Sequence, residues 1–453
     1  MTDEYDFIVI GAGPVGENVA QYATEHSGLT AVLVESELLG GECSYYACMP
    51  SKALLRPIEI ASDTKHLDGV TDAGVDLDGL LKRRDYWVSN YDDSGQVKWA
   101  EGAGLAVVRG SGRLTGERTV RVGDRTLSAR RAVVVATGST PVVPPEYADV
   151  AAWGSRDATG VQEVPERLVI VGGGVVACEA ATWMAALGSR VTMLVRGDRL
   201  LANQESFASE VVLAALQDAG VDVRLGAKVT GCARSDARDT GLGRVHGGVV
   251  TVTLGDDTVE ADEILLAVGR RPRLAELGLD ERGLGTDPAK WPDWLVAVGD
   301  ASGEAPLTHW GKYRARVIGE RLAGGPAKEP DDVPVPQVVF TDPQVAQVGP
   351  LTSALPDAEV VRVPFNAAGG SALLRDDVTG WAQLAVDRST RTVQAATFVG
   401  PQAGELLHAA TIAIVGRVPV ATLRHAVPSY PTASELWLRL LEELPREMRE
   451  LAG

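Results

Sequence analysis

Cysteine is scarce in this chain: Cys43, Cys48, Cys178 and Cys232 are the only four in 453 residues. That count excludes the disulfide-dense framework of a small secreted domain. A cationic surplus is missing too. Lys and Arg total 43 against 61 Asp and Glu, a formal charge of −18. This argues against nucleic acid or an anionic membrane as partner, and otherwise reads as a solubility feature. No apolar run is long enough to cross a bilayer. The acidic start Met1-Thr2-Asp3-Glu4-Tyr5-Asp6 leads straight into a strand pattern and does not resemble a signal peptide. These absences point to a cytoplasmic protein. No second Cys/His pair lies at ligand spacing near Cys43 and Cys48, so zinc is not expected and no metal site is assigned.

Glycine, by contrast, is plentiful at 50 residues, as suits an α/β protein with tight phosphate-binding turns. The apolar run Phe7-Ile8-Val9-Ile10 precedes Gly11-Ala12-Gly13-Pro14-Val15-Gly16. A helix follows over 17–26, then the strand Ala31-Val32-Leu33-Val34 and the acid Glu35. Gly11, Gly13 and Gly16 allow the turn and the close approach of a pyrophosphate to a helix N-terminus; Glu35 suits ribose hydroxyls. The pattern recurs. The strand 167–171 leads into Gly172-Gly173-Gly174-Val175-Val176-Ala177, a helix over 178–187 and the strand 191–195. There Arg196 stands where Glu35 stood. A basic residue favours the 2′-phosphate of NADPH over NADH, and Arg199 adds a second charge.

Between the two units lies Gly40-Gly41-Glu42-Cys43-Ser44-Tyr45-Tyr46-Ala47-Cys48-Met49-Pro50-Ser51-Lys52. Five residues of regular helix rise about 7.5 Å, whereas a disulfide wants Cα atoms within roughly 7 Å. Pairing of Cys43 with Cys48 therefore requires a distorted helix and a strained, reducible bond. The residues alone leave two readings open: buried thiols or a static staple, or a redox-active pair. Tyr45-Tyr46 either shapes a flat pocket or packs inward. Cys178 reads as a small buried hydrophobe and Cys232 as a loop residue.

Residues 53–99 read as helices, with Lys82-Arg83-Arg84-Asp85 as a solvated face. Residues 106–127 alternate like short hairpins. The strand 131–135 closes on Ala136-Thr137-Gly138-Ser139, and prolines 141, 144 and 145 mark a boundary. Residues 233–247 form a polar loop. The run 263–268 closes on Gly269-Arg270, an echo of Thr137-Gly138. The strand 294–299 ends in Asp300, which suits a sugar alcohol or a helix cap, before a helix over 310–322. Residues 324–336 are linker-like. Beyond them, 338–348, 359–363, 381–387 and 391–399 alternate as an antiparallel sheet should, with helices over 402–415 and 434–451.

Two dinucleotide units, a cysteine pair and a C-terminal α+β domain together resemble the class I pyridine nucleotide–disulfide oxidoreductases, the flavoproteins that include glutathione reductase, dihydrolipoamide dehydrogenase and mercuric reductase. The most specific motifs are Gly40-Gly41-x-Cys43-x4-Cys48-x-Pro50-Ser51-Lys52, Val296-Ala297-Val298-Gly299-Asp300 and Val339-Phe340-Thr341-Asp342-Pro343. The resemblance implies an α/β fold of two Rossmann-like dinucleotide-binding domains plus a C-terminal α+β dimerisation domain. The expected segments are 1–145 and 266–330 for FAD, 146–265 for NAD(P)H and 331–453 for a homodimer interface. It implies FAD at Gly11, Gly13, Gly16, Glu35, Gly41, Lys52, Thr137, Gly138, Asp300 and Thr308. It implies NADPH at Gly172, Gly174, Ala177, Glu179, Arg196, Arg199, Gly269 and Arg270. Cys48 becomes the flavin-proximal sulfur, Cys43 the sulfur that meets a small-molecule acceptor, and Lys52 a lysine near the flavin ring, paired with Glu179.

One departure stands out. The family ends in His-Pro-Thr-x-Ser-Glu, its histidine protonating the leaving thiolate and its glutamate orienting that histidine. This chain reads Tyr430-Pro431-Thr432-Ala433-Ser434-Glu435. A tyrosine with an ordinary pKa near 10 forms no cation at pH 7, but it can donate a hydrogen bond. His309, His408 and His425 read as surface or packing residues. The expected activity is NADPH-dependent reduction of a disulfide through FAD and Cys43–Cys48, with Tyr430 and Glu435 of the partner chain as donor and orienter. Rivals are a quinone or metal-ion reductase, a thiol oxidase and an FAD-bound redox sensor.

Overall fold

The structure, a computed structural model, describes residues 2–325 and 333–450. The chain divides into two compact units. The first takes residues up to Ser51, Lys82–Val142 and the stretch from Gly269 to the linker; the second takes Lys52–Leu81, Val143–Val268 and the C-terminal part. Segment 52–81, expected with the first nucleotide domain, groups with the second unit. The boundary expected at 330/331 and most of the linker 324–336 lie outside the described residues.

In the first unit a parallel sheet runs Ala106–Arg109, Ala31–Glu35, Thr2–Ile10, Arg125–Val135, with Leu295–Ala297 also parallel to the last strand. Ile8 pairs with Val32 on one side and Val133 on the other. Phe7, Ile8, Val32, Leu33, Val133 and Val134 are fully buried. Strands covered on both faces need apolar residues at every position, which is why these segments read as continuous apolar runs. The expected hairpins over 106–127 are half right. Gly112–Gly116 and Thr119–Val122 form one, but Ala106–Arg109 joins the parallel edge beside Ala31–Glu35. The first helix spans Pro14–Thr24, three residues earlier than the pattern placed it, with Pro14 in its first turn, where a missing N–H costs nothing. Arg84, read as solvated, is 1% exposed, its Nε donating to Asp85 at 2.7 Å.

The second unit repeats the parallel arrangement in Asp222–Leu225, Arg190–Val195, Arg167–Val171 and Glu263–Leu266. Its helix spans Val175–Ala186 and starts directly on Gly174. Cys178 is fully buried there. Cys232 is not in a loop but in the strand Gly231–Arg234, paired with Val252. The adjoining segment 233–247 is not simply polar surface. Arg234 and Glu263 form an ion pair at 2.5 Å with both side chains fully buried.

The C-terminal sheet has the order Gln337–Val339, Gln344–Val348, Val393–Gly400, Trp381–Asp387, Ala358–Pro364, all antiparallel. Its helices are shorter than the pattern implied: Leu407–Val415 after a 3₁₀ turn, then Glu435–Glu443, broken at Leu444-Pro445 before Arg446–Arg449. Leu451, the expected end, lies outside the described residues. Among the described residues no helix is long and apolar enough to cross a membrane.

Candidate active site

The two glycine loops repeat at atomic detail. Gly11 has φ +100°, and a Cβ there would lie 2.3 Å from the Ala136 carbonyl oxygen; Gly172 has φ +128°, and a Cβ would lie 2.3 Å from the Ala267 carbonyl oxygen. Each first glycine is thus required twice, by its left-handed backbone and by the strand end pressed against it. Gly16 is required by the Gly11 carbonyl, 1.9 Å from its would-be Cβ. Gly13 and Gly174 meet little or nothing, leaving their faces open at a helix N-terminus. That combination of crowded backs and open fronts fits dinucleotide phosphates. Ala177 is fully buried.

Glu35 ends its strand with one carboxylate oxygen accepting from the Ala12 N–H at 2.7 Å and the other from the Glu37 N–H at 2.8 Å. The side chain is thereby fixed at the mouth of the first loop. Asp300 lies in the 3₁₀ turn Gly299–Ser302 and accepts from the Ser139 hydroxyl at 2.6 Å. The Thr137 hydroxyl donates to the Arg273 carbonyl at 2.6 Å. Gly138 has φ +71° and an open face. These residues and Gly41 converge within the first unit and fit FAD.

The cysteine stretch resolves its own geometric problem. Gly41–Tyr45 is one short helix and Cys48–Asp63 another. The helical path breaks at Tyr46, where φ is −131°. The break brings the Cys43 and Cys48 thiols within hydrogen-bond range of each other. Cys48 Sγ lies 3.4 Å from the Thr308 hydroxyl, at the first residue of the helix Thr308–Leu322. The Cys43 thiol is pushed up, first by its hydrogen bond with Cys48, then by burial and by the neighbouring sulfur's charge; Thr308 and Lys312 oppose this. Gly41 has φ +56°, and its would-be Cβ falls 2.6 Å from Gly13 Cα, so the redox turn rests directly on the glycine loop. Tyr45 is buried, and Tyr46 stacks on Tyr91 with ring centroids 5.5 Å apart.

Arg270, expected at the nicotinamide cofactor, lies in the first unit. Its guanidinium reaches Glu42 at 2.5 Å and the Ser139 hydroxyl at 2.8 Å. Gly269, with φ +122°, precedes it in the same unit. In the second unit, Lys52 Nζ donates to Glu179 at 2.8 Å and sits 4.4 Å from the Phe340 ring centroid. The other oxygen of Glu179 accepts from the Phe340 N–H at 2.9 Å. Arg196 is exposed at the end of its strand, and Arg199 donates to the Ala202 carbonyl.

Tyr430 is 82% exposed. Glu435 is buried and accepts from the Gly370 N–H at 3.4 Å. Both side chains approach the Gly369 site, where a Cβ would meet each near 4 Å. The C-terminal pair is therefore assembled within the second unit. His408 and His425 are exposed. Residues that the pattern left without a role include Glu42, Ser139, Phe340 and Glu17. Phe340 sat inside a quoted motif; Glu17, an acid directly after the third glycine, was visible in the sequence.

A family described as "Pyridine nucleotide-disulphide oxidoreductase" matches residues 5–292, and its dimerisation domain matches residues 335–440. A dihydrolipoyl dehydrogenase of Haloferax volcanii is 32% identical over 96% of this chain and 95% of its own length. That of Thermus scotoductus is 32% identical over 98% of both. Among solved structures, the Cu(II) complex of the HOCl-induced flavoprotein disulfide reductase RclA from Escherichia coli superposes with a TM-score of 0.85 at 22% identity, over 98% of this chain and 100% of that one. LpdA from Mycobacterium tuberculosis gives 0.83 at 21% identity over 97% and 99%. These two likenesses concern the fold.

Proposed function

This chain belongs to the pyridine nucleotide–disulphide oxidoreductases, and from that premise we propose that it is an FAD-dependent, cytoplasmic, homodimeric NADPH oxidoreductase that reduces a disulfide substrate through Cys43 and Cys48. The observation that carries the reading is the meeting of the Cys43 and Cys48 thiols across the helix break, with Thr308 at Cys48. The relatives' names, which refer to a dithiol, support thiol–disulfide chemistry.

When bound, FAD supplies two-electron exchange between a nicotinamide and a disulfide. Glu35 takes the adenosine ribose hydroxyls, and Asp300, held by Ser139, takes a sugar alcohol further along. Lys52, held by Glu179, serves the flavin ring. Arg196 and Arg199 take the 2′-phosphate of NADPH.

Two electrons and one proton convert the Cys43–Cys48 disulfide into a thiol and a thiolate hydrogen-bonded to each other, and the proton passes between them so that either sulfur can carry the charge. Cys43 as thiolate attacks one sulfur of the substrate disulfide; a mixed disulfide forms and the other sulfur leaves. Tyr430 of the partner chain, oriented by Glu435, gives that sulfur a proton and regains one from water. Cys48 then gives up its proton and attacks Cys43, restoring the disulfide; the second substrate sulfur leaves and takes that proton, released as the second product thiol.

Tyr430 favours a second reading as well. An exposed phenol in place of a histidine suits hydrogen bonding to a quinone oxygen or an acceptor that needs no thiol leaving group. A turnover screen with NADPH against disulfides, quinones and metal ions separates the two. Disulfide turnover is expected; turnover confined to quinones or metal ions overturns the first reading.

A further inference from the structure

The family's histidine supplies a positive charge to the substrate-facing sulfur, and this chain has a tyrosine in that position. Everything that acts most strongly on the Cys43 thiol, namely the hydrogen bond to Cys48, burial and the charge of Cys48, opposes ionisation. A neighbouring cation favours the nucleophilic thiolate. The first unit contains one. Thr308, whose hydroxyl touches Cys48 at 3.4 Å, begins the helix Thr308–Leu322. Lys312 follows one turn later on the same face. It is exposed and makes no ion pair or hydrogen bond among the described residues. Its charge acts on Cys43 in the direction of the thiolate.

The same helix packs on Pro14–Thr24, closely enough that a Cβ on Gly311 would lie 2.6 Å from Val15 Cγ2. Two residues beyond Val15, on that inner helix, is Glu17. It is 6% exposed, with Oε1 buried and unpartnered. The groups acting on it are Lys312 from the packed helix, Glu35 from the neighbouring strand and the Gly40 N–H from the loop above. Tyr45, on the redox turn, feels its charge.

Resting on the redox reading of Cys43 and Cys48, we infer that Lys312 is the cation that holds the Cys43 sulfur as thiolate, and that buried Glu17 is a positioning residue that sets how much of that charge Cys43 receives. Burial pushes the Glu17 carboxyl up to about 7, with Glu35 adding to the rise and Lys312 opposing it. Below that pH Glu17 is neutral and the field of Lys312 falls undivided on Cys43. Above it the carboxylate offsets the lysine. Nucleophilicity at Cys43 thus comes from the same chain rather than from a partner's histidine.

The test uses the flavin-loaded dimer, reduced anaerobically with dithionite and desalted. Iodoacetamide modification of the Cys43 peptide is followed by mass spectrometry across pH. In Lys312→Met the Cys43 midpoint is expected to rise by about one pH unit, slowing modification at pH 7 about tenfold. Lys312→Arg should stay within about twofold of the parent, because charge and not shape matters. Glu17→Gln should raise the rate at pH 8 by about threefold and leave it unchanged at pH 5. An unchanged midpoint in Lys312→Met, or equal losses in Met and Arg variants, overturns the role of Lys312. A Glu17→Gln profile superimposable on the parent's overturns that of Glu17. Failure of the underlying redox reading shows separately, as full acceptor turnover by Cys43→Ser, and does not alter the modification profile of the parent enzyme.

Discussion

The hydroxyl of Thr308 lies 3.4 Å from the sulfur of Cys48, although 260 residues separate them in the chain. The contact ties the start of a late helix to the second cysteine of the redox stretch. Facing a thiolate the hydroxyl is the donor, and Thr308 and the charge of Lys312 both favour ionisation at Cys43 as well.

Thr308→Val keeps the shape of the side chain and removes that donor. A hydrogen bond to a charged sulfur contributes about 1.5–3 kcal/mol. Anaerobic reduction of the variant should therefore give a markedly weaker long-wavelength thiolate–flavin absorbance than the parent. An equally strong band would show that the hydroxyl does not serve the sulfur.

Gly41→Ala should damage both the redox turn and the flavin site. Its φ of +56° disfavours any side chain, and the new Cβ would press to 2.6 Å from the Gly13 backbone. The conformational part alone costs about 1–2 kcal/mol, and the backbone contact adds to it. Flavin content, from the visible-to-ultraviolet absorbance ratio, and the thermal midpoint should both fall. Gly28→Ala is the control: φ there is +69° but nothing lies within 4 Å, so only the conformational cost remains and flavin content should hold.

Much of this site was legible in the sequence, for reasons that differ by residue. Gly11 and Gly172 sat at strand ends where only glycine tolerates both the backbone and the carbonyl behind it. The Lys52–Glu179 pair and the Cys43–Cys48 pair followed from motif position. What composition could not reveal was tertiary burial. Arg84 looked like part of a charged face because helical periodicity carries no information about what covers it. The Ala106–Arg109 strand alternates like a hairpin, yet it lies parallel to Ala31–Glu35, a choice fixed by distant partners. Arg270 followed a Gly that echoed Gly138, but the guanidinium reaches Glu42, and no local pattern encodes that. Cys232 looked like a loop residue because Gly231 and the polar stretch after it mask a short strand.

The Glu17 carboxyl carries a stability signature with a defined sign. Its folded-state pKa of about 7 lies above the ordinary 4.5, so the folded protein binds the proton more tightly than the unfolded chain does. That contribution is complete below pH 4.5 and is lost as pH rises toward 7. The upper limit is about 3 kcal/mol. Denaturant unfolding should show Glu17→Gln gaining stability over the parent between pH 5 and pH 8. A constant difference across that range would place the carboxyl in water.

Arg196→Glu reverses the charge at the end of the second nucleotide strand. KM for NADPH should rise by tenfold or more, roughly the loss of one charge-assisted phosphate contact, while KM for NADH changes little. Equal KM values for NADPH in parent and variant would remove Arg196 from cofactor selection.

The central claim is that electrons reach the acceptor through the cysteine pair, and the most direct test is steady-state disulfide reduction by Cys43→Ser with NADPH. The account predicts that turnover falls at least about a thousandfold while single-turnover reduction of the flavin by NADPH persists. Disulfide turnover at the parent rate in Cys43→Ser would contradict it.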